Sequence, residues 1–407
     1  MRRVWVVVVV ALVSMAFAPS PARSEVVRSA DYVLDSPSLD EPANVKVLLP
    51  DGYDPDVDYP VLYLLHGGVG SYVDWTTVGD ADAITAPYDV IVVMPDAGGG
   101  GWYSDWKNHG SGGPPRWETF HIDELIPWVD ATFSTIASRE GRALAGLSMG
   151  GFGAMSYAAR HPDLFVAAAS FSGAVDPVHA SPVGFDAVQD ATVMSDGGLP
   201  GSVWGSRVLD AATWFGHNPT DIAENLRSVD LFVRTGNGRS ARGVPTDPIE
   251  YGCHEMSVSF HNRLVALGID HVWDDYGAGG HTWDRWAEGL ALAMPRFMSV
   301  FASPPPVPET ITHVAVEPSW SVWGWSVTWD RTVDDHARLD GASAAGFTIT
   351  GVGVATIVTP PFYEPGSAHT VDGVPVLADG EGRLTLVIDN GPITIDELEP
   401  STTVVID

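Results

Sequence analysis

Ten residues constrain this chain more than any others: Leu144-Ala145-Gly146-Leu147-Ser148-Met149-Gly150-Gly151-Phe152-Gly153. A short apolar run ends in Gly146-x-Ser148-x-Gly150, and a small-residue, helix-compatible run from Ala154 to Ala159 follows. That order describes a nucleophile elbow, in which a strand turns sharply into a helix and the serine hydroxyl projects from the bend. Glycine is needed on both sides because a Cβ would meet the neighbouring strand and helix. The helix N-terminus then lies beneath the serine, where free N–H groups favour developing negative charge.

An elbow needs a sheet around it. Pro60 to Gly68 is a continuous apolar run closing in glycines, and Val90 to Asp96 is a second. Arg142 to Leu147, Val166 to Phe171, Leu231 to Thr235 and His271 to Tyr276 follow the same grammar. Such runs suit strands buried on both faces of a parallel sheet. Two shorter β segments, Asp31 to Leu34 and Val45 to Leu49, precede them. Helical patterns alternate with the strands over Trp117 to Phe133, Glu250 to Leu267 and Thr282 to Phe301. The alternation predicts a doubly wound, mostly parallel α/β domain over residues 25–302. Reactive groups in such sheets gather at the carboxyl ends of the strands. Residues 174–230 read as an insertion that covers part of the site.

Ser303 to Pro308 is a proline-rich, extended linker. Beyond it, short strand-like pieces alternate with turn signals such as Asp340-Gly341 and Asn390-Gly391. Residues 309–407 are therefore expected to form a small all-β, sandwich-like accessory domain that folds alone. Trp320, Trp323 and Trp325 suit its core better than a sugar-stacking surface. Asp330, Asp334 and Asp335 read as a solvated loop, and no metal site is expected.

The 407 residues carry a formal charge of −31, with Lys46 and Lys107 the only lysines. That balance argues against nucleic acid and anionic membranes as partners. Met1 to Ala18 places Arg2 and Arg3 before an apolar run ending in Ala16-Phe17-Ala18. This predicts a signal peptide within residues 1–24, export, and no stable membrane anchor. Cys253 is the single cysteine, so internal disulfides are impossible, and it reads as a small residue packed within a helix.

A serine hydroxyl near neutral pH needs a base, and the base needs an orienting acid. Of 13 histidines, His281 is best placed, after the glycines of Gly277 to Gly280 and before the closing helix. His66, His109, His121, His161, His179, His217, His254 and His261 read as structural, surface or peripheral. The acid should follow the strand ending near Thr235, which leaves Asp247, Glu250 and Glu255. Position alone does not separate Asp247 from Glu250. For the oxyanion, the N–H of Met149 and that of Gly68 are the candidates. Gly98 to Gly101 lacks a following G-K-[ST], so phosphate binding is discounted.

With Val92 to Asp96, Trp102 to Trp106, Trp117 to Phe120, Glu124-Leu125, Gly146 to Gly151 and Gly280 to Trp283 in view, the chain resembles an esterase family. That family includes secreted actinobacterial mycolyltransferases and S-formylglutathione hydrolase-type esterases. The resemblance covers about Val45 to Phe301. It implies an α/β-hydrolase fold, no cofactor, and Ser148 and His281 as nucleophile and base. The mycolyltransferase-like branch places the acid at Glu250, ahead of Ser257 and Phe260, whereas the thioesterase-like branch points to Asp247. Gly67-Gly68-Val69 departs from the mycolyltransferase oxyanion loop, which bears leucine and arginine, so a trehalose-type acceptor site is not expected.

These readings converge on a secreted serine carboxylic-ester hydrolase with Ser148, His281 and Glu250 in its triad. Its substrate would be a small-molecule, lipid or polysaccharide ester, with cell-wall association through the C-terminal domain. An acyltransferase using a sugar or glycolipid hydroxyl is the second reading. A non-catalytic glycan- or wall-binding protein on the same scaffold is the third.

Overall fold

The computed structural model describes residues 28–392 and 400–407. The signal peptide expected over residues 1–24 lies outside the described residues. Eight strands form one sheet: β1 (Ser29–Leu34), β2 (Ala43–Leu48), β3 (Val61–Leu65), β4 (Ile91–Pro95), β5 (Arg142–Leu147), β6 (Ala167–Phe171), β7 (Asp230–Gly236) and β8 (Val272–Gly277). Their spatial order is β1-β2-β4-β3-β5-β6-β7-β8. β1 and β2 are antiparallel, and β4, β3 and β5 to β8 run parallel. This is the mostly parallel α/β sheet expected.

Strand periodicity divides the core into two layers. Val61, Tyr63 and Leu65 face one layer, whereas Leu62 and Leu64 face the other. The second layer is closed by two short helices, α1 (Asp74–Thr77) and α2 (Ala81–Thr85), and later by the C-terminal helix of the domain. Over the first layer lies a helical stretch made of α3 (Trp117–Thr119), a π-helical turn (Phe120–Leu125) and α4 (Ile126–Thr132). Pro127 cannot supply the N–H that an α-helix would direct at residue 123, and the chain widens just before it. α5 (Met149–Arg160) follows the elbow directly. The insertion contributes α6 (Pro182–Ser195) and α7 (Ala211–His217), and α8 (Pro248–Leu267) and α9 (Trp283–Ala302) complete the domain. Cys253 is buried within α8. No helix among the described residues is long and apolar enough to cross a membrane.

The C-terminal region holds β9 (Ile311–Ala315), β10 (Ser319–Val322), β11 (Trp325–Trp329), β12 (Ala337–Ser343), β13 (Gly346–Gly351), β14 (Val354–Val358), β15 (Ala368–Val371), β16 (Val374–Leu377), β17 (Thr385–Asp389) and β18 (Ser401–Val405). They pair into two four-stranded sheets, β10-β11-β14-β17 and β18-β13-β12-β9, and the ribbon β15-β16. All pairings there are antiparallel. Trp325 and Trp329 fill a core separate from that of the sheet domain.

The two regions meet through specific polar contacts. Asn225 donates from Nδ2 to Val314 O at 2.9 Å and accepts from Val314 N at 2.8 Å. Arg160 pairs with Glu317 at 2.5 Å, and Arg338 pairs with Glu224. Asp334, expected in a solvated loop, instead accepts from Lys107 at 3.2 Å and from the Thr213 hydroxyl. A cation from the other region lies beside it, which residue spacing alone cannot reveal. Trp323 belongs to this junction: its N–H bonds Asp163 at 2.8 Å, and the Arg139 guanidinium stands 5.2 Å from its ring.

Candidate active site

Ser148 sits between β5 and α5 with φ 53° and ψ −117°. A non-glycine residue held there is strained, and tight packing on both sides sustains the strain. A Cβ on Gly146 would stand 2.2 Å from Gly150 O, and one on Gly150 would stand 2.4 Å from Leu65 O. No larger residue fits at either position. Ser148 N–H bonds Phe171 O at 3.0 Å, so β6 anchors the bend. The serine hydroxyl itself has no hydrogen bond among the described residues in this resting arrangement.

Glu250 is fully buried in the first turn of α8. Its Oε2 accepts from His281 Nδ1 at 2.7 Å. Its Oε1 accepts from Gly236 N at 2.6 Å, Ser172 Oγ at 2.8 Å and Tyr276 Oη at 3.2 Å. A buried carboxylate persists only when satisfied in this way. Burial, with the charge of Glu250 beside it, raises the pKa of Tyr276 and keeps its phenol a donor. The segment that supplies Ser172 returns to the elbow, where Ala174 N meets Ser148 O at 3.4 Å.

Asp247 occupies a different place, although only three residues away. It is the N-cap of α8, accepting from Ile249 N and Glu250 N at 3.0 Å each. Its other oxygen accepts the backbone N–H of His281 at 2.8 Å. Burial raises its pKa, but these N–H bonds and the nearby His281 more than offset that and hold it low. Asp247 thus bonds the main chain of His281, whereas Glu250 bonds its ring. Glu255 faces His254 at 3.6 Å and joins neither. His281 also meets Trp286 edge-on at 4.8 Å between ring centroids.

The loop Gly67–Val69 lies against the elbow, for a Cβ on Gly67 would be 3.5 Å from Ser148 Cβ. Neither Gly68 N–H nor Met149 N–H has a hydrogen-bond acceptor among the described residues. His66, read from the sequence as structural, sets this loop: its Nδ1 donates to Gly67 O at 2.8 Å. Its Nε2 faces Ala97 N at 3.0 Å, and its carbonyl accepts from Tyr103 Oη at 2.9 Å. The histidine beside two glycines was the available signal, but its partners come from β4 and beyond. The insertion closes one side, with Thr192 of α6 standing 3.0 Å from the place of a Cβ on Gly68.

The Esterase family model matches residues 36–297. An esterase of Mycobacterium tuberculosis is 38% identical over 255 residues, covering 58% of this chain and 52% of the relative. The chain therefore spans about half the length of that relative. The MPT51 antigen of Mycobacterium leprae is 30% identical over 249 residues, 58% of this chain and 79% of the relative. A diacylglycerol acyltransferase/mycolyltransferase of the same organism is 29% identical over 261 residues, 60% of this chain and 77% of the relative. The crystal structure of Mycobacterium tuberculosis MPT51 superposes with a TM-score of 0.55 at 26% identity, covering 68% of this chain and all of that one.

Proposed function

We propose that this protein, whose chain belongs to the Esterase family of α/β-hydrolases, is a serine carboxylic-ester hydrolase working through an acyl-enzyme on Ser148. The observation that carries the reading is the strained elbow, which holds Ser148 at φ 53° in a chain whose His281 ring is oriented by a buried glutamate. In the proposed reaction Ser148 Oγ attacks the ester carbonyl carbon and passes its proton to His281 Nε2. Glu250 accepts from His281 Nδ1–H and stabilises the imidazolium. The carbonyl electron pair moves onto oxygen, facing the free N–H groups of Gly68 and Met149. Collapse breaks the bond to the alcohol, which leaves with the proton from His281. Water then repeats the sequence on the acyl-enzyme, releasing the acid and restoring Ser148. A positioned base supplies about 10²–10⁴-fold in such a step, and one oxyanion donor about 10²–10³-fold.

The substrate is read as a small or lipid ester, or an ester on a polysaccharide. The net charge of −31 makes a polyanionic ligand such as nucleic acid a poor partner. Export belongs to the same reading, supported by the pattern of Met1 to Ala18. Residues 309–407 are read as an accessory domain, with cell-wall association as its candidate role.

The relative named as a mycolyltransferase favours a second reading, in which a sugar hydroxyl replaces water. Purified protein incubated with chromogenic esters of graded chain length, with and without a sugar acceptor, tests both. Free acid is the expected main product in every case. Predominantly acylated sugar would replace hydrolysis with transfer, and no turnover of any ester would leave only a binding scaffold.

A further inference from the structure

The outward side of α6 is apolar and uncharged. Val183, Gly184, Ala187, Val188, Ala191 and Met194 are all exposed, and at 3.6 residues per turn they share an arc of about 140°. Phe185, Thr192 and Val193 are buried on the opposite side. Asp186 and Asp190 fall between the two, along one edge of the exposed stripe. A surface helix ordinarily turns charged and polar residues to solvent, and this one turns aliphatic residues both ways.

The stripe continues onto its neighbours at both ends. Arg207 pairs with Asp186 at 2.6 Å, which sets Val208 and Leu209, 84% and 87% exposed, beside the first turns of the helix. At the far end, a Cβ on Gly99 would lie 3.3 Å from Ser195 Oγ and 3.4 Å from Val69 Cα, so the loop Gly67–Val69 meets the last turn of α6. Val69 stands at φ 53°, where a β-branched residue is strained, yet its side chain is 70% exposed and joins neither core layer. The strain therefore holds an apolar side chain out in solvent on the loop that lies against Ser148.

Charge selects what covers this face. The carboxylates at its border are engaged within the chain: Asp186 by Arg207, Asp190 by Gly201 N at 3.1 Å and Asp196 by Gly100 N at 2.7 Å. The face therefore offers few of the directional polar contacts on which protein interfaces depend. A second copy would bring the same carboxylates and another formal charge of −31 against it. An uncharged lipid surface needs no directional partner and removes the aliphatic residues from water. We infer that α6, with Val69 and Val208–Leu209, docks on the surface of an aggregated, uncharged lipid ester. The inference rests on the esterase reading and narrows its substrate class to lipid esters met at an interface.

The measurement is flotation with triolein droplets coated in phosphatidylcholine, beside kcat/KM on dissolved p-nitrophenyl butyrate. The native protein is compared with two double variants, Val183→Gln/Met194→Gln on the helix and Val208→Gln/Leu209→Gln beside it. The native protein should float with the droplets, and each variant should partition onto them about tenfold less. Turnover of the dissolved ester should stay within about twofold, because none of the four residues belongs to the proposed catalytic machinery. Thermal melting checks folding, and should one pair melt early the other decides. A native protein left in the aqueous layer would overturn the inference, as would variants that float like the native protein. So would a native dimer in sedimentation equilibrium that both variants dissociate, since a second copy would then cover the face. A native protein that floats but turns over neither the dissolved ester nor triolein would instead reject the esterase reading and leave the docking face standing.

Discussion

Glu250 and Asp247 both touch His281, one through its ring and the other through its main chain, and substitution separates these roles. Glu250→Gln should lower kcat by about 10³–10⁴-fold, because an amide cannot stabilise the imidazolium. Asp247→Asn keeps an oxygen for the N-cap and should cost less than about tenfold in kcat, with a stability loss near 1 kcal/mol or below. Steady-state kinetics on one chromogenic ester checks both, and a severe Asp247 effect beside a mild Glu250 effect would reverse the assignment. Ser148 and His281 were legible because glycine-flanked serine and histidine residues at strand ends have few other uses. The choice between Asp247 and Glu250 was not, since both lie in one helical turn and only burial decides which faces inward. His66 was illegible for a related reason: what marks it is the set of partners it has across the fold.

The elbow is the element on which the site depends, and its tolerance is set by backbone contact. A Cβ on Gly146 would lie 2.2 Å from Gly150 O and 2.4 Å from Gly150 C, main-chain atoms that cannot yield cheaply. Gly146→Ala should therefore destabilise the protein by about 3 kcal/mol or more and reduce soluble yield. Gly184→Ala, on the open face of α6 with nothing within 4 Å of its Cβ, should be neutral or slightly stabilising. Urea unfolding of the two variants tests this, and equal midpoints would contradict the packing described. The strands of the sheet were legible because continuous apolar runs with glycine ends have a fixed period and length. The helices of the insertion were not, because α6 leaves Val183, Val188 and Met194 exposed and so lacks a clean amphipathic pattern.

At the scale of the whole molecule, a separate β core was legible, but its attachment was not. The Arg160–Glu317 and Arg338–Glu224 pairs join residues more than a hundred positions apart. A chain ending near Ser303 should still hydrolyse small esters, since no proposed catalytic group lies beyond it, but should melt several degrees lower. An insoluble or inactive truncation would make the two regions one cooperative unit. Stability should also depend on pH through buried imidazoles. Burial lowers the pKa of His121 to about 4 and that of His313 to about 3. Both are neutral when folded, whereas the unfolded chain takes up a proton below its ordinary value near 6.5. Their contribution is thus complete above about pH 6.5 and is lost as the pH falls from there toward 4, by up to about 1.4 kcal/mol per pH unit for each residue. The raised pKa of His179 acts in the opposite sense, but that ring is about half exposed and counts for little. Thermal melts from pH 7.5 to 4.5 should fall steadily, and a flat profile would contradict the burial.

The acyl-enzyme is open to direct detection. Protein quenched in acid during turnover of a chromogenic ester can be digested and its peptides weighed. The expected result is one acyl group on the peptide containing Ser148, absent from Ser148→Ala, which should also lose about 10³-fold or more in turnover. An acyl group on another residue, or undiminished turnover in Ser148→Ala, would contradict the proposed mechanism.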